Sequence, residues 1–310
     1  MKVYVAGHNG MVGSSIVRNS PMGVDLVTTN RDCLDLRDEK SVEKFFMEQG
    51  LDAVIIAAAK VGGIGINSSD NSTFLIDNLK IQNAVIGSAV KAGIPNLIFL
   101  GSSCVYPKFS PQPIKEEALL SGPLEPTNEG YALSKIAGIR LCNFLHHEMG
   151  LNYFSLMPSN LYGMNDNYDL KSAHVPAALM RRLHSAKIND SREVVVWGTG
   201  TPRREFLHVD DLARACWQML SRQMGGKVIN VGTGTDLTIS DFAILMAGIV
   251  GYQGKIVFDS TKPDGTPRKL LDISLINSLG WKHEMELETG LRQTYQWFVE
   301  ALSDGKVRGY

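Results

Sequence analysis

Lys2-Val3-Tyr4-Val5-Ala6-Gly7-His8-Asn9-Gly10-Met11-Val12-Gly13 decides the fold. A β-rich run enters a glycine turn, and a helical pattern follows through Ser14-Ser15-Ile16-Val17-Arg18. Strand, glycine turn and helix in that order are the context a dinucleotide fingerprint requires. The spacing is GxxGxxG. Gly7 would allow the tight turn, Gly10 would let backbone approach a pyrophosphate at the helix N-terminus, and Gly13 would let the helix pack closely on the strand. Asn9, Met11 and Val12 complete the loop. The bland alternative is a merely glycine-rich loop, and both flanks weigh against it.

Outward from this loop the pattern repeats. A second strand is predicted over 25–29, ending at Asn30-Arg31 where an NAD site usually carries an acidic residue. Arg31 can instead pair bidentately with a 2′-phosphate, which favours NADP; Asp32 and Asp35 follow closely, and Asp35-Leu36 fits the border of an adenine. The apolar run 53–57 is of the fully buried parallel-strand type. The small residues of Ala57-Ala58-Ala59-Lys60-Val61-Gly62-Gly63 then leave room for a cofactor at a strand's C-terminal end. Helices are expected over 41–48 and 74–92. A strand over 96–100 delivers Gly101-Ser102-Ser103-Cys104 to the same edge. The alternation predicts an α/β fold with a doubly wound parallel sheet of Rossmann type.

The second half is less regular. Helices are predicted over 173–187 (with Pro176 in the first turn), from an Asp210 cap to 220, and over 239–250 and 287–302. Strands are predicted over 153–157, 194–197, 205–209, 228–231 and 255–258. The loop 261–269 holds three basic residues. Residues 1–163 with about 206–232 are expected to form the NADP-binding domain. About 164–205 and 233–310 should form a smaller, interleaved substrate lobe.

The chemistry centres on Tyr131-Ala132-Leu133-Ser134-Lys135. A tyrosine and a lysine four apart on a helix, here running to about 148, share one face. An ammonium beside a phenol stabilises the phenolate and is expected to lower its pKa, making the tyrosine a proton donor or acceptor for a carbonyl–alcohol interconversion. Alone the pair is weak, since a surface lysine above a half-buried tyrosine reads the same. After the glycine fingerprint and Gly101-Ser102-Ser103-Cys104, it points to an oxidoreductase. Glu116 and Glu117 read as charged loop residues. Histidines other than His174 read as structural.

The composition excludes several classes. The 310 residues are 44% hydrophobic and 20% charged, with a net charge of −1. Nothing suggests a nucleic-acid or anionic-membrane partner. The cysteines (Cys33, Cys104, Cys142, Cys216) are scattered without a CxxC pair, which argues against a metal site or disulfide framework and for a reducing compartment. A strand begins at once, with no signal peptide pattern, and a cytoplasmic location is expected.

With these residues in view, the chain resembles the extended short-chain dehydrogenase/reductases that act on nucleotide sugars. More closely, it is similar to the GDP-L-fucose synthase group, the NADPH-dependent 3,5-epimerase/4-reductases of GDP-4-keto-6-deoxy-D-mannose. The marks are the glycine loop, residues 57–63, Gly101-Ser102-Ser103-Cys104-Val105-Tyr106-Pro107-Lys108, Leu124-Glu125-Pro126-Thr127-Asn128-Glu129, Asn160-Leu161-Tyr162-Gly163, and the stretch from Val196-Trp197-Gly198 to Arg203-Arg204-Glu205-Phe206. The resemblance implies that Ser102 hydrogen-bonds the sugar C4 oxygen, Tyr131 supplies its proton, and Lys135 holds the nicotinamide ribose. It implies that Cys104 and His174 are the epimerisation base and acid, and that Ala58 borders the cofactor. Arg182 and Arg204 would contact the GDP portion, with Trp197, Lys269 and Asn160 nearby. It also implies a homodimer through a four-helix bundle built on the helices carrying Asn78 and Tyr131. One departure is Asn9, where the family often has Arg; NADP preference then rests mainly on Arg31.

Cys104 on its own would read as a small buried residue; its place after Ser102-Ser103 at a strand end favours the cleft. His174 on its own would read as a helix-start histidine. Two other chemistries compete. A 4,6-dehydratase would typically place Asp-Glu where Ser103-Cys104 stands, and a 4-epimerase would leave Cys104 with His174 unexplained. From a different class, a catalytically silent NADP-binding regulator would keep only the fold.

Overall fold

A computed structural model describes residues 1–63, 70–262 and 264–310. Pro263, in the predicted basic loop, lies outside the described residues. The central sheet has six strands: β1 (Lys2–Ala6), β2 (Asp25–Val27), β3 (Ala53–Ile56), β4 (Asn96–Leu100), β5 (Asn152–Pro158) and β10 (Val228–Val231). Their order is β10-β5-β4-β3-β1-β2, and every pairing is parallel. The predicted doubly wound sheet is therefore present.

Both faces are covered, and the strand period shows how. Tyr4, Ala6, Val54 and Ile56 point into one core, with Val42 and Phe46 of α2 (Glu39–Gln49), Val85 and Ile86 of α3 (Asn71–Lys91), and Ile136 and Ile139 of α4 (Glu129–Met149). Val3, Val5, Ala53 and Ile55 point into the other, with Ile16 of α1 (Met11–Arg18) and Leu212, Cys216 and Met219 of α6 (Val209–Leu220). Each such fully buried aliphatic side chain contributes about 2 kcal/mol.

A third core lies beyond the sheet. Leu179 and Leu183 of α5 (Val175–Ile188), Phe242 of α7 (Ile239–Val250) and Phe298 of α9 (Leu287–Ser303) build it; α8 (Ser274–Ser278) belongs to the second core. Small sheets edge it: β7 (Glu193–Trp197) with β12 (Lys255–Asp259), and β8 (Arg203–Arg204) between β11 (Leu237–Thr238) and β13 (Arg268–Lys269). β6 (Asn160–Tyr162) pairs with β9 (Phe206–His208).

Several boundaries differ from the sequence reading. The strand expected over 25–29 ends at Val27. The extended run 205–209 is shortened to β9, with Val209 opening α6, and the predicted loop 261–269 ends in β13. The helix expected to be capped by Asp210 starts two residues earlier: His208 is the cap, its Nδ1 accepting from the Asp210 N–H at 3.2 Å. Asp210 instead accepts from Ser15 Oγ at 2.6 Å and pairs with Arg18, tying α6 to α1. Glu116 is not a free loop charge; it is half-buried and accepts from the Asn230 N–H at 3.0 Å.

Candidate functional site

The sheet order reverses between β1 and β3, the point where open α/β sheets bind ligands. Gly7 turns there at φ +86°, and a Cβ on it would lie 2.8 Å from Ala58 backbone. A Cβ on Gly13 would lie 2.1 Å from the Gly7 carbonyl oxygen. The close approach at Gly13 is thus to the glycine turn itself, and not only to the strand as the spacing suggested. Gly10 caps α1 with no acidic residue in the first turn, and among the described residues no side chain caps the helix. The uncapped N–H groups and the helix dipole make an anion cradle.

The neighbouring predicted residues fall around this cradle. Asn9 Nδ2 donates to Asn30 Oδ1 at 2.8 Å, tying the glycine loop to the segment after β2. Arg31 is exposed. Asp35 is gripped by Arg37 at 2.6 Å, whose hydrogen bonds hold its carboxyl down at about 2. Asn78, buried on α3, braces the cofactor-side loop by accepting from the Lys60 N–H at 2.8 Å and donating to its carbonyl at 3.0 Å.

The catalytic candidates meet at the C-terminal edge of β4. Ser102 caps a short 3-10 turn, and its Oγ accepts from the Cys104 N–H at 3.2 Å. Lys269 Nζ lies 3.5 Å from Cys104 Sγ. Burial opposes a thiolate at Cys104, but the Lys269 ammonium, the Ser102 hydroxyl and Arg204 outweigh it, so the thiol sits below its ordinary value. Tyr131 goes the other way. Burial and the negative charge of Cys104 hold its phenol well above the usual range, against a pull from Ser102.

That reverses the expectation for Tyr131. Lys135 Nζ is 5.8 Å from the tyrosine ring centroid, as the helical spacing predicts. Lys135 Nζ donates to the Leu100 carbonyl at 2.7 Å in a site 4% exposed. Burial pushes the lysine down to about 7. A buried amine that sheds its proton near neutrality lends little positive charge to the phenol.

His174 stands at the N-cap of α5, with no side-chain cap bond to the helix. Burial of the ring and the charge of Lys269 hold the imidazole below its ordinary value. Arg204 pairs in register with Lys269 across β8 and β13. Arg182 lies apart from this group with Trp197: the guanidinium is 5.9 Å from the indole ring, and its Nη1 donates to the Val195 carbonyl at 3.2 Å. Lys262 Nζ is 5.6 Å from the same ring. Asp264 links the two groups, holding the Thr199 N–H at 2.7 Å and lying close enough to Arg204 to favour its charge. Asn160 spends its amide N–H on the Glu205 carbonyl, 2.9 Å away, which leaves its side-chain oxygen for a ligand.

Two features escaped the sequence reading. Lys108 and Glu125 pair at 2.9 Å, joining two of the quoted motifs beside Arg204. Glu205 is fully buried and accepts from the backbone N–H groups of Thr233, Gly234 and Leu271. Its only signal was its place inside the Arg203-Arg204-Glu205-Phe206 motif.

Residues 3–232 match the NAD dependent epimerase/dehydratase family. The chain is 52% identical to a putative GDP-L-fucose synthase 2 of Arabidopsis thaliana, covering 96% of this chain and 92% of that one. It is 49% identical to the GDP-L-fucose synthase of Escherichia coli K12, covering 96% and 97%. The crystal structure of a GDP-L-fucose synthetase from Naegleria fowleri bound to NADP superposes with a TM-score of 0.88 at 27% identity, covering 98% and 96%. The chain belongs to the NAD dependent epimerase/dehydratase family and, within it, groups with the GDP-L-fucose synthases.

Proposed function

We propose that this chain converts GDP-4-keto-6-deoxy-D-mannose to GDP-L-fucose with NADPH. The observation that carries the reading is the divergence of two adjacent acids, Cys104 drawn toward its thiolate and Tyr131 held as a neutral phenol. Neighbouring groups whose environments push them apart are the mark of assigned base and acid. A 4-keto group acidifies the C–H bonds at C3 and C5. The Cys104 thiolate takes a proton, Ser102 and Tyr131 stabilise the enolate oxygen, and His174 returns a proton from the opposite face. Bound NADPH supplies the hydride that C4 then receives. Tyr131 gives its proton to the C4 oxygen, leaving NADP⁺ and an alcohol.

Gly7, Asn9, Gly10, Met11, Val12 and Gly13 hold the pyrophosphate in this reading, with Ala58 and Lys135 at the nicotinamide end and Arg31 on the 2′-phosphate. The NADP-bound relative supports it. Arg204 and Lys269 take the diphosphate end of the substrate, Arg182 and Trp197 the nucleoside, and Asn160 the sugar. Residues 1–163 with about 206–232 act as the cofactor domain and the rest as the substrate lobe. A homodimer through α3 and α4 is supported by their exposed Ile76 and Leu133. Among the described residues no helix is long and apolar enough to cross a membrane, and a cytoplasmic location fits the free cysteines.

The test mixes purified protein, NADPH and GDP-4-keto-6-deoxymannose, follows reduced-nicotinamide absorbance and identifies the product. GDP-L-fucose supports the reading. GDP-rhamnose would keep Tyr131 and Lys135 but sink the roles of Cys104 and His174. Binding of NADPH without oxidation would favour a silent regulator.

A further inference from the structure

Glu205 joins three parts of the molecule. It lies between β8 and β9 and is fully buried. Its Oε1 accepts from the N–H of Thr233 at 2.5 Å and of Gly234 at 2.7 Å, just past β10. Its Oε2 accepts from the Leu271 N–H at 3.0 Å, two residues beyond Lys269. Its own carbonyl accepts from the Asn160 N–H at 3.2 Å. Gly232 abuts the carboxylate, and a Cβ there would lie 2.3 Å from Oε1. Burying a carboxylate is costly, and charge-assisted bonds from main-chain N–H groups offset that cost only while all of them stay in place.

The strand next to it cannot hold its own register. β8 and β13 pair over two residues, Arg203 with Arg268 and Arg204 with Lys269. Contacts from outside the pair fix them: Gln112 accepts from the Leu270 N–H at 2.9 Å and donates to the Arg268 carbonyl at 3.2 Å, and the Ile114 N–H donates to the Leu270 carbonyl at 2.8 Å. Asp236 grips Arg203 at 2.9 Å and Arg268 at 2.5 Å, and Glu205 grips Leu271. Lys269 lies between these anchors with its Nζ 3.5 Å from Cys104 Sγ.

We propose that Glu205 is a positioning residue which, through the Leu271 N–H, holds the Lys269 ammonium against Cys104. The inference deepens the reading of Cys104 as a base and rests on it for its catalytic meaning. Arg204 from β8, Tyr131 from α4 and Ser102 also face the thiol, so losing Lys269 weakens the thiolate without abolishing it.

The test is alkylation of Cys104 by iodoacetamide against pH, read peptide by peptide by mass spectrometry in a Cys33→Ser background. Cys33 is exposed, whereas Cys142 and Cys216 are buried. In Glu205→Gln an amide NH₂ faces N–H donors, and one of the three loses its acceptor. Its Cys104 rate at pH 7 should fall about tenfold, with the whole profile moved to higher pH, as in Lys269→Met. The double variant should fall no further than Lys269→Met. Gly232→Ala displaces the carboxylate without removing it and should move the profile the same way; it decides the matter if Glu205→Gln does not fold, as judged by circular dichroism and NADPH binding. An unchanged profile in a folded variant overturns the proposal, and so does a double variant slower than Lys269→Met. Alkylation does not require Cys104 to act as a base. Full epimerisation by Cys104→Ser would therefore sink the functional reading and leave this result standing.

Discussion

Replacing Lys135 with methionine should stabilise the cofactor-free protein while destroying reduction. The lysine is 4% exposed, and burial drives it from 10.5 down to about 7. At 1.36 kcal/mol per pH unit that is about 4 to 5 kcal/mol against the charged form. The variant also leaves the Leu100 carbonyl without its donor at 2.7 Å, which costs about 1 to 3 kcal/mol. The net gain at pH 7 is about 1 to 4 kcal/mol, or a Tm higher by about 2 to 6 °C. The folded-state pKa lies below the unfolded one, so between about 7 and 10.5 the unfolded chain binds the extra proton. Wild-type stability therefore rises with pH across that window, and the advantage of the variant closes toward pH 10.5. Urea denaturation of both proteins at pH 6, 7, 8.5 and 10 measures this. A variant less stable than wild type at pH 7, or a gap that does not change with pH, would refute the reasoning.

Three further perturbations test other parts. Arg31→Ala should raise the KM for NADPH about tenfold and leave that for NADH unchanged, since only one cofactor carries the 2′-phosphate; steady-state kinetics with both decides it. Gly13→Ala should abolish NADPH binding by fluorescence titration, because its Cβ would sit 2.1 Å from the Gly7 carbonyl oxygen. Asp236→Ala should cost about 1 to 2 kcal/mol in urea denaturation, because two partly exposed arginines, Arg203 and Arg268, each lose an ion pair with its buried carboxylate.

The sheet was legible because its strands obey a period of two and its glycine loop has one geometric use. The nearness of Tyr131 to Lys135 was legible from their four-residue spacing on one helix, and that of Ser102 to Cys104 from their place after a strand end. The remainder depends on contacts across long sequence separations. Lys269 and Cys104 are 165 residues apart, and no local pattern announces that they touch. The two-residue strands β8 and β13 carry too few residues for periodicity to register. The ionisation of Tyr131 was misread because spacing shows that Lys135 shares its face but not that the amine is buried and donates to the Leu100 carbonyl. Glu205 was invisible as an anchor because its partners are main-chain N–H groups, which any sequence would supply.

The most direct measurement is deuterium incorporation into GDP-4-keto-6-deoxymannose in heavy water, without NADPH, for wild type, Cys104→Ser and Tyr131→Phe. Wild type should exchange protons at C3 and C5. Tyr131→Phe should still exchange but oxidise no NADPH when it is added, and Cys104→Ser should lose the exchange. Exchange at the wild-type rate in Cys104→Ser would contradict the division of labour between the thiolate and the phenol.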